Sequence, residues 1–111
     1  MVDYVRGDIV ISSIGGINGK PRPFIVVQND LLNSNLFTTL VAPLTSEIKI
    51  EQEDFRPILK PSKMNTLERA SQVMLDRIIV INKRDIVNII GNLTKKELQF
   101  LNQSLAFVIG F

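Results

Sequence analysis

The chain contains no cysteine and no histidine, and these two absences exclude several kinds of protein chemistry. Without cysteine there are no disulfides and no thiolate metal ligands, which suits a reducing compartment. Without histidine the chain lacks the side chain that most often acts as a general acid or base and most often binds a metal. The Ser-His-Asp and Cys-His nucleophile systems are therefore excluded, and a zinc site is not expected.

Membrane, secretory and nucleotide-binding signals are also missing. No apolar run reaches the roughly 18 residues that a membrane span requires. Residues 1–6 lack the basic-then-apolar order of a signal peptide, so we expect a cytoplasmic protein without membrane contact. The glycines between residues 14 and 21 do not have P-loop spacing. Glu51, Glu53 and Asp54 could bind a cation, but a solvated charge run is the simpler interpretation, and we predict no metal and no cofactor.

The composition is that of one globular domain. The 111 residues are 45% hydrophobic and 22% charged, enough to bury a core, so we assign residues 1–111 to a single domain. The net charge is +2, and residues 70–111 hold five cations against three anions. This small excess is a slight indication of a polyanionic partner.

Arg22 has the most distinctive surroundings in the chain. Pro21 and Pro23 flank it, and each proline restricts the backbone beside it. Residues 24–27 are apolar and predict a buried strand, and the polar residues 28–30 predict a turn. A guanidinium on a stiffened backbone at a strand edge is suited to holding a phosphate. Taken alone, a solvated charge at a strand start remains the simpler interpretation.

Short β-branched runs, separated by turn residues about every ten positions, predict a mainly β fold with some α-helix. The expected strands are residues 5–13, 24–27, 38–44, short edge strands within 47–69, and one long strand over 70–82. A helical turn is expected from residue 83, with a chain break at Gly91. The pattern therefore favours a small antiparallel barrel packed on a helix.

The last element predicted is a helix that follows Thr94. Thr94 and Glu97 have the spacing of a capping box. Apolar residues then follow at helical spacing and predict a stripe that packs on the core. The stripe consists of Leu98, Leu101, Leu105, Val108 and Ile109.

The remaining side chains favour phosphodiester chemistry. Arginine, threonine, aspartate and amide groups can bind and polarise a phosphate, and RNA carries its own nucleophile, the 2′-hydroxyl. An enzyme need only align that oxygen with the phosphorus and stabilise the developing charge. The glycine-rich residues 14–21 are either a plain hairpin connection or a mobile cover over such a site.

Four motifs occur in the order found in the MazF/PemK toxins of toxin–antitoxin systems, which the chain resembles over nearly its whole length. They are Arg6 to Val10, Arg22 to Asp30, Val41 to Ser46, and Ser71 to Arg77. The resemblance implies an SH3-like barrel of the MazF/PemK/CcdB type that forms a homodimer. It also implies a metal-independent endoribonuclease that cuts single-stranded mRNA, leaving a 2′,3′-cyclic phosphate and a 5′-hydroxyl. The implied inhibitor is a cognate antitoxin whose disordered acidic segment lies along the RNA groove.

Carried over by motif, the resemblance makes Arg22, Thr45 and Asp76 the predicted catalytic residues. The chain departs from PemK-like members at Met74, where they carry a second functional arginine. The predicted RNA-binding residues are Lys20, Gln28, Asn29, Ser46, Gln72 and Arg77. Target specificity is expected from residues 14–21 and 46–69, which are the least motif-like parts.

Two alternatives belong to other functional classes. CcdB toxins are similar in barrel and dimer but poison DNA gyrase through a terminal helix that ends in Trp-Gly-Ile. This chain has no tryptophan and ends at Gly110 and Phe111. The other alternative is a non-catalytic barrel that binds nucleic acid or peptide. The presence of Arg22 and Thr45 argues against both.

Overall fold

The computed structural model describes residues 3–14 and 19–111. Residues 15–18, half of the glycine-rich segment 14–21 interpreted as a hairpin connection or a mobile cover, lie outside the described residues. Within the described part the strands are β1 (Asp8–Ser12), β2 (Arg22–Val26), β3 (Thr38–Thr45), β4 (Ile58–Leu59), β5 (Ser71–Val73), β6 (Ile79–Asn82) and β7 (Ile86–Asn92). The helices are α1 (Asp30–Asn33) and α2 (Lys95–Ile109).

The strands form one antiparallel sheet that curls into a half-barrel. Its order is β4-β5-β3-β2-β1-β7, and β6 pairs with β3 beside this path. Strand β3 is shared between two partners: Thr38–Val41 pairs with β6, and Leu44 and Thr45 pair with β5. The curled antiparallel sheet with a terminal helix confirms the predicted fold.

The prediction of one long strand over residues 70–82 is wrong. A 3-10 turn over Leu75–Arg77 separates β5 from β6, and the Arg77 amide donates to the Met74 carbonyl (3.0 Å). The break lets the two short strands pair with different halves of β3, which curls the sheet. Neither glycine nor proline marks this turn, and its buried Leu75 continues the apolar pattern, so the sequence does not reveal the break.

The predicted chain break at Gly91 is also wrong, although the predicted turn at residue 83 exists as a 3-10 turn over Lys83–Asp85. Strand β7 runs through Gly91. A Cβ at this position would lie 2.5 Å from the carbonyl oxygen of Met64. Glycine is therefore needed because another backbone segment approaches closely, a role that glycine often has within strands.

Alternating side chains of the central strands fill two cores. Val10, Phe24 and Val41 point to one face of the sheet. Their neighbours Ile9 and Ile25, and Ala42, point to the opposite face. There they pack together with Leu59, Val73, Leu75, Leu93 and Leu101, and this second core includes the buried side of α2.

Helix α2 begins as predicted. The Thr94 hydroxyl accepts from the Glu97 amide (3.1 Å), and the Glu97 carboxylate accepts from the Thr94 amide (2.9 Å). Leu101 is buried, but Ile109 is 66% exposed, so Ile109 lies outside the predicted stripe. No helix among the described residues is long and apolar enough to cross a bilayer.

Candidate active site

An open cleft of about 720 Å³ lies where β2 begins and β3 ends. Phe24 of β2 pairs with Pro43 of β3 in antiparallel register. Two residues beyond this pair, in the direction of the cleft, the two strands carry Arg22 and Thr45. Both line the cleft, so the fold brings together two of the three predicted catalytic residues.

The Arg22 side chain is exposed at the start of β2. Pro23, which also lines the cleft, holds the backbone beside it. Within the described residues no ion pair or side-chain hydrogen bond joins the Arg22 guanidinium to the protein. Its planar set of donors is therefore available to an anion in the cleft.

Thr45 presents a hydroxyl group with one lone pair already engaged. Its Oγ1 accepts a hydrogen bond from the amide of Glu47 (3.1 Å). The hydroxyl proton remains free to donate, since a threonine hydroxyl both donates and accepts. Ser46, one of the predicted RNA-binding residues, also lines the cleft.

The other wall of the cleft consists of residues 66–69 and Ser71. It contains Glu68 and Arg69, which lie within the predicted specificity region 46–69 but are not among the individually predicted site residues. Two adjacent opposite charges immediately before a strand were the available signal. The same pattern is common on solvated surfaces, so only the tertiary structure selects them.

Hydrogen bonds fix the segment that carries this wall. The buried Asn65 side chain accepts from the amides of Ser62 (2.9 Å) and Leu67 (3.0 Å) and donates to the Lys60 carbonyl (2.8 Å). Thr66 has a φ of 56°, which is uncommon for a β-branched residue. Its hydroxyl donates to the carbonyl of Ile90 in β7 (2.7 Å). The segment is thus fastened both internally and to the sheet.

Asp76, the third predicted catalytic residue, does not line the cleft. Its carboxylate accepts two hydrogen bonds from the Arg56 guanidinium, from Nε (2.8 Å) and from Nη2 (2.9 Å). These hydrogen bonds hold the pKa of Asp76 below its usual value. Arg77 follows it on the exposed surface and is likewise outside the cleft.

The amide residues predicted to bind RNA serve the fold instead of lining the cleft. Gln72 is fully buried, and its side chain bonds both the amide and the carbonyl of Lys49 (2.8 Å each). Gln28 is buried and donates to Asn33 and to the Thr38 carbonyl (3.0 Å each).

Two further predicted RNA-binding residues lie near these elements. Asn29 caps α1 through the Leu31 amide (2.8 Å). Asn29 therefore takes the cap position, and Asp30 is the first helical residue. Lys20 is exposed two residues before Arg22 but does not line the cleft.

Sequence comparison matches nearly the whole chain to a known family. Residues 5–109 match the family described as the PemK-like, MazF-like toxin of type II toxin–antitoxin systems. A probable endoribonuclease MazF of Mycolicibacterium smegmatis is 24% identical over 106 residues, which is 95% of each chain. The endoribonuclease EndoA of Bacillus subtilis is 27% identical over 104 residues, or 90% of this chain and 89% of that one.

Solved structures agree with the family match. An endoribonuclease from a mycobacterial species, in complex with its cognate antitoxin, superposes with a TM-score of 0.82 and 20% identity, covering 97% of this chain and 96% of that one. The MazE–MazF structure from Deinococcus radiodurans gives a TM-score of 0.78 and 18% identity, covering 100% and 99%. These likenesses establish the fold. Because the family match spans nearly the whole chain, the protein belongs to the PemK-like, MazF-like toxins of type II toxin–antitoxin systems.

Proposed function

We propose that this protein is the toxin of a type II toxin–antitoxin system and acts as a metal-independent endoribonuclease on single-stranded mRNA. The observation that carries the proposal is the meeting of Arg22 and Thr45 in one open cleft. The relatives named above as endoribonucleases support the same activity. Among the described residues that line the cleft, Glu68 is the one carboxylate. Protein sites for divalent cations usually supply several oxygen ligands, so this lining favours a mechanism without a metal ion.

The chemistry follows from the groups that face the cleft. The 2′-oxygen of the RNA attacks the adjacent phosphorus, and the bond from phosphorus to the 5′-oxygen breaks. Arg22 binds two phosphate oxygens and stabilises the charge that develops on them. Thr45 donates a hydrogen bond from its free hydroxyl to the same group. The 2′-hydroxyl gives up its proton as it attacks, and the leaving 5′-oxygen takes one up. The products are a 2′,3′-cyclic phosphate and a 5′-hydroxyl, and no water is consumed in this step.

The proposed partners follow from the same surface. A mycobacterial relative is solved in complex with its cognate antitoxin. We propose that a disordered acidic antitoxin segment likewise lies along this cleft, where exposed arginines can pair with it as they would with RNA. The proposal also places the protein in the cytoplasm, as a homodimer.

Cleavage of end-labelled mRNA by the purified protein in EDTA tests the activity. We expect discrete cuts, with 3′ ends that resist polyadenylation until the cyclic phosphate is removed. Cleavage abolished by EDTA and restored by magnesium would contradict the metal-independent mechanism. Binding without cleavage would indicate a nucleic-acid-binding barrel. Inhibition of gyrase supercoiling with intact RNA would indicate the CcdB-like alternative.

A further inference from the structure

We propose that Glu68 and Arg69 complete the active site: Glu68 takes the proton from the attacking 2′-hydroxyl, and Arg69 binds a second phosphate of the same RNA strand. This inference rests on the endoribonuclease function proposed above. It assigns chemistry to the cleft wall formed by residues 66–69 and Ser71.

The attacking 2′-hydroxyl needs a group that accepts its proton, and neither Arg22 nor Thr45 is suited to that role. The chain has no histidine, and the carboxylate of Asp76 is held by two hydrogen bonds from Arg56 outside the cleft. Among the described residues that line the cleft, Glu68 alone can accept a proton as a carboxylate. The Glu68 side chain makes no ion pair within the described part of the chain, so both of its oxygens remain available.

Arg69 explains how a carboxylate is tolerated where RNA must bind. A lone carboxylate beside the bound RNA would repel the phosphates of its backbone. The adjacent Arg69 offsets this repulsion, and Arg69 lines the same cleft as Arg22. Two guanidinium groups in one cleft can hold two phosphates of one strand, which fixes the nucleotide between them.

The wall is built so that these two side chains keep their position. The buried Asn65 uses its side-chain oxygen and nitrogen within the segment, and Thr66 holds a left-handed φ while bonding the Ile90 carbonyl. Positive φ in a β-branched residue is costly and persists only where surrounding contacts enforce it. Such a device is expected for residues that must be positioned for chemistry.

The proton balance is complete with these groups. Glu68 accepts the 2′-hydroxyl proton as the bond from the 2′-oxygen to phosphorus forms. The bond from phosphorus to the 5′-oxygen then breaks, and the leaving 5′-oxygen takes a proton from water. Glu68 returns its proton to solvent. No metal, oxidant or co-reactant is needed.

The Glu68→Gln variant tests the role of the carboxylate, since glutamine keeps the shape and removes the proton acceptor. We expect cleavage of an mRNA that the wild type cuts to fall roughly 10²–10⁴-fold, the scale of general-base catalysis. Binding of an uncleavable oligonucleotide, 2′-O-methylated at the mapped cut, should remain equal or become tighter. Asp3→Asn is the control for loss of a carboxylate, because Asp3 is exposed, outside the cleft and outside the predicted specificity regions. Wild-type cleavage by Glu68→Gln would overturn this role.

The Arg69→Gln variant tests the second phosphate contact. Its affinity for the uncleavable oligonucleotide should fall, and the slope of log K against log[salt] should become shallower by about 0.7, the value for one phosphate on a single strand. Arg84→Gln is the control, because Arg84 is exposed and lies outside the cleft. An unchanged slope would overturn the assignment. If the wild type fails to cleave RNA, the proposed function itself is wrong. If the wild type cleaves RNA and both variants are fully active, only this inference is contradicted.

Discussion

At the scale of single residues, the backbone of Arg22 is restricted by the two prolines beside it, while its side chain is not held by contacts of its own within the described part of the chain. Pro21 and Pro23 restrict the backbone, whereas the guanidinium has no partner among the described residues. The position thus separates a structural part, held by the prolines, from a chemical part at the end of the side chain. Changes to the side chain should consequently alter activity and leave the fold intact.

We expect Arg22→Lys to lose most RNA cleavage. Lysine keeps the charge but not the planar pair of donors that holds two phosphate oxygens. The rate should fall roughly 10²–10³-fold, the scale for losing one transition-state donor, while the thermal midpoint barely moves. The measurement is initial cleavage rate together with thermal unfolding.

Two further variants accompany Arg22→Lys: a second test of the site and a control outside it. Thr45→Val removes the hydroxyl that β3 contributes to the cleft and keeps the β-branched shape, so cleavage should again fall without unfolding. Arg84→Lys makes the same arginine-to-lysine change outside the cleft and should leave cleavage unchanged. Full turnover by Arg22→Lys would mean that charge alone suffices, and a collapsed fold would mean that Arg22 is structural.

The pair formed by Arg56 and Asp76 predicts a pH dependence of stability. Hydrogen bonds from Arg56 lower the pKa of Asp76 in the folded state. Folding is therefore stabilised above the unfolded pKa of about 4, and this contribution disappears as the pH falls through the lower folded-state value. Because the Asp76 side chain is 35% exposed, we expect only about 1 kcal/mol from the pair.

Comparing wild type with Asp76→Asn by urea unfolding between pH 7 and pH 2 measures this contribution. The difference in free energy of unfolding should be largest at neutral pH and vanish in acid. Asp54→Asn serves as control, because Asp54 is an exposed carboxylate without an ion pair in the described part of the chain. A difference that grows on acidification would show that the sign is wrong. The same variant also measures whether Asp76 contributes to cleavage, which stays a prediction.

At the scale of elements, the close contact between β7 and residues 62–66 determines the shape of the cleft wall. The amide of Asn92 donates to the Met64 carbonyl (2.9 Å), and Gly91 leaves room for that backbone to approach. This contact holds the segment that presents Glu68 and Arg69. Strand β7 therefore supports the cleft wall at Gly91, although Gly91 itself does not line the cleft.

We expect Gly91→Ala to destabilise the fold by about 1–3 kcal/mol, the usual cost of overpacking. The new Cβ would meet the backbone oxygen of Met64, which cannot rotate away as a side chain could. Urea unfolding measures the loss, and cleavage at a temperature where the variant is folded measures displacement of the wall. Gly110→Ala separates backbone strain from overpacking: no atom lies within 4 Å of its added Cβ, so any loss of stability there comes from its φ of 74° alone. Equal stability of Gly91→Ala and wild type would contradict the close approach.

At the scale of the whole molecule, helix α2 leaves aromatic side chains uncovered. Phe100 is 52% exposed and Phe107 is 63% exposed, seven residues apart on the helix. Leu101, in contrast, is buried against the sheet. An apolar surface of this kind is typical of a contact between proteins, and it supports the proposed homodimer.

We therefore expect a dimer at micromolar concentration, and Phe107→Glu should shift it toward monomer by placing a charge in the apolar contact. Sedimentation equilibrium measures the dissociation constant of both proteins. Leu31→Glu is the matched control, because Leu31 is 75% exposed on α1 and should not affect the dimer. A wild type that is strictly monomeric in this range would refute the prediction.

The sequence by itself determined the family, the β-rich barrel with its helix, the capping box at Thr94, and the choice of Arg22 and Thr45 as candidate site residues. Each of these is encoded locally, in motifs, in residue periodicity or in short-range hydrogen bonding. The tertiary structure decided what depends on pairing between distant segments. It broke residues 70–82 at a turn that neither glycine nor proline marks, and it ran β7 through Gly91 because the backbone at Met64 approaches there. It buried Gln72 on the backbone of Lys49, engaged Asp76 with Arg56, and brought Glu68 and Arg69 to the cleft. A charged residue on an open surface and one in a cleft can have the same local sequence. They differ only in how distant segments of the chain pack around them.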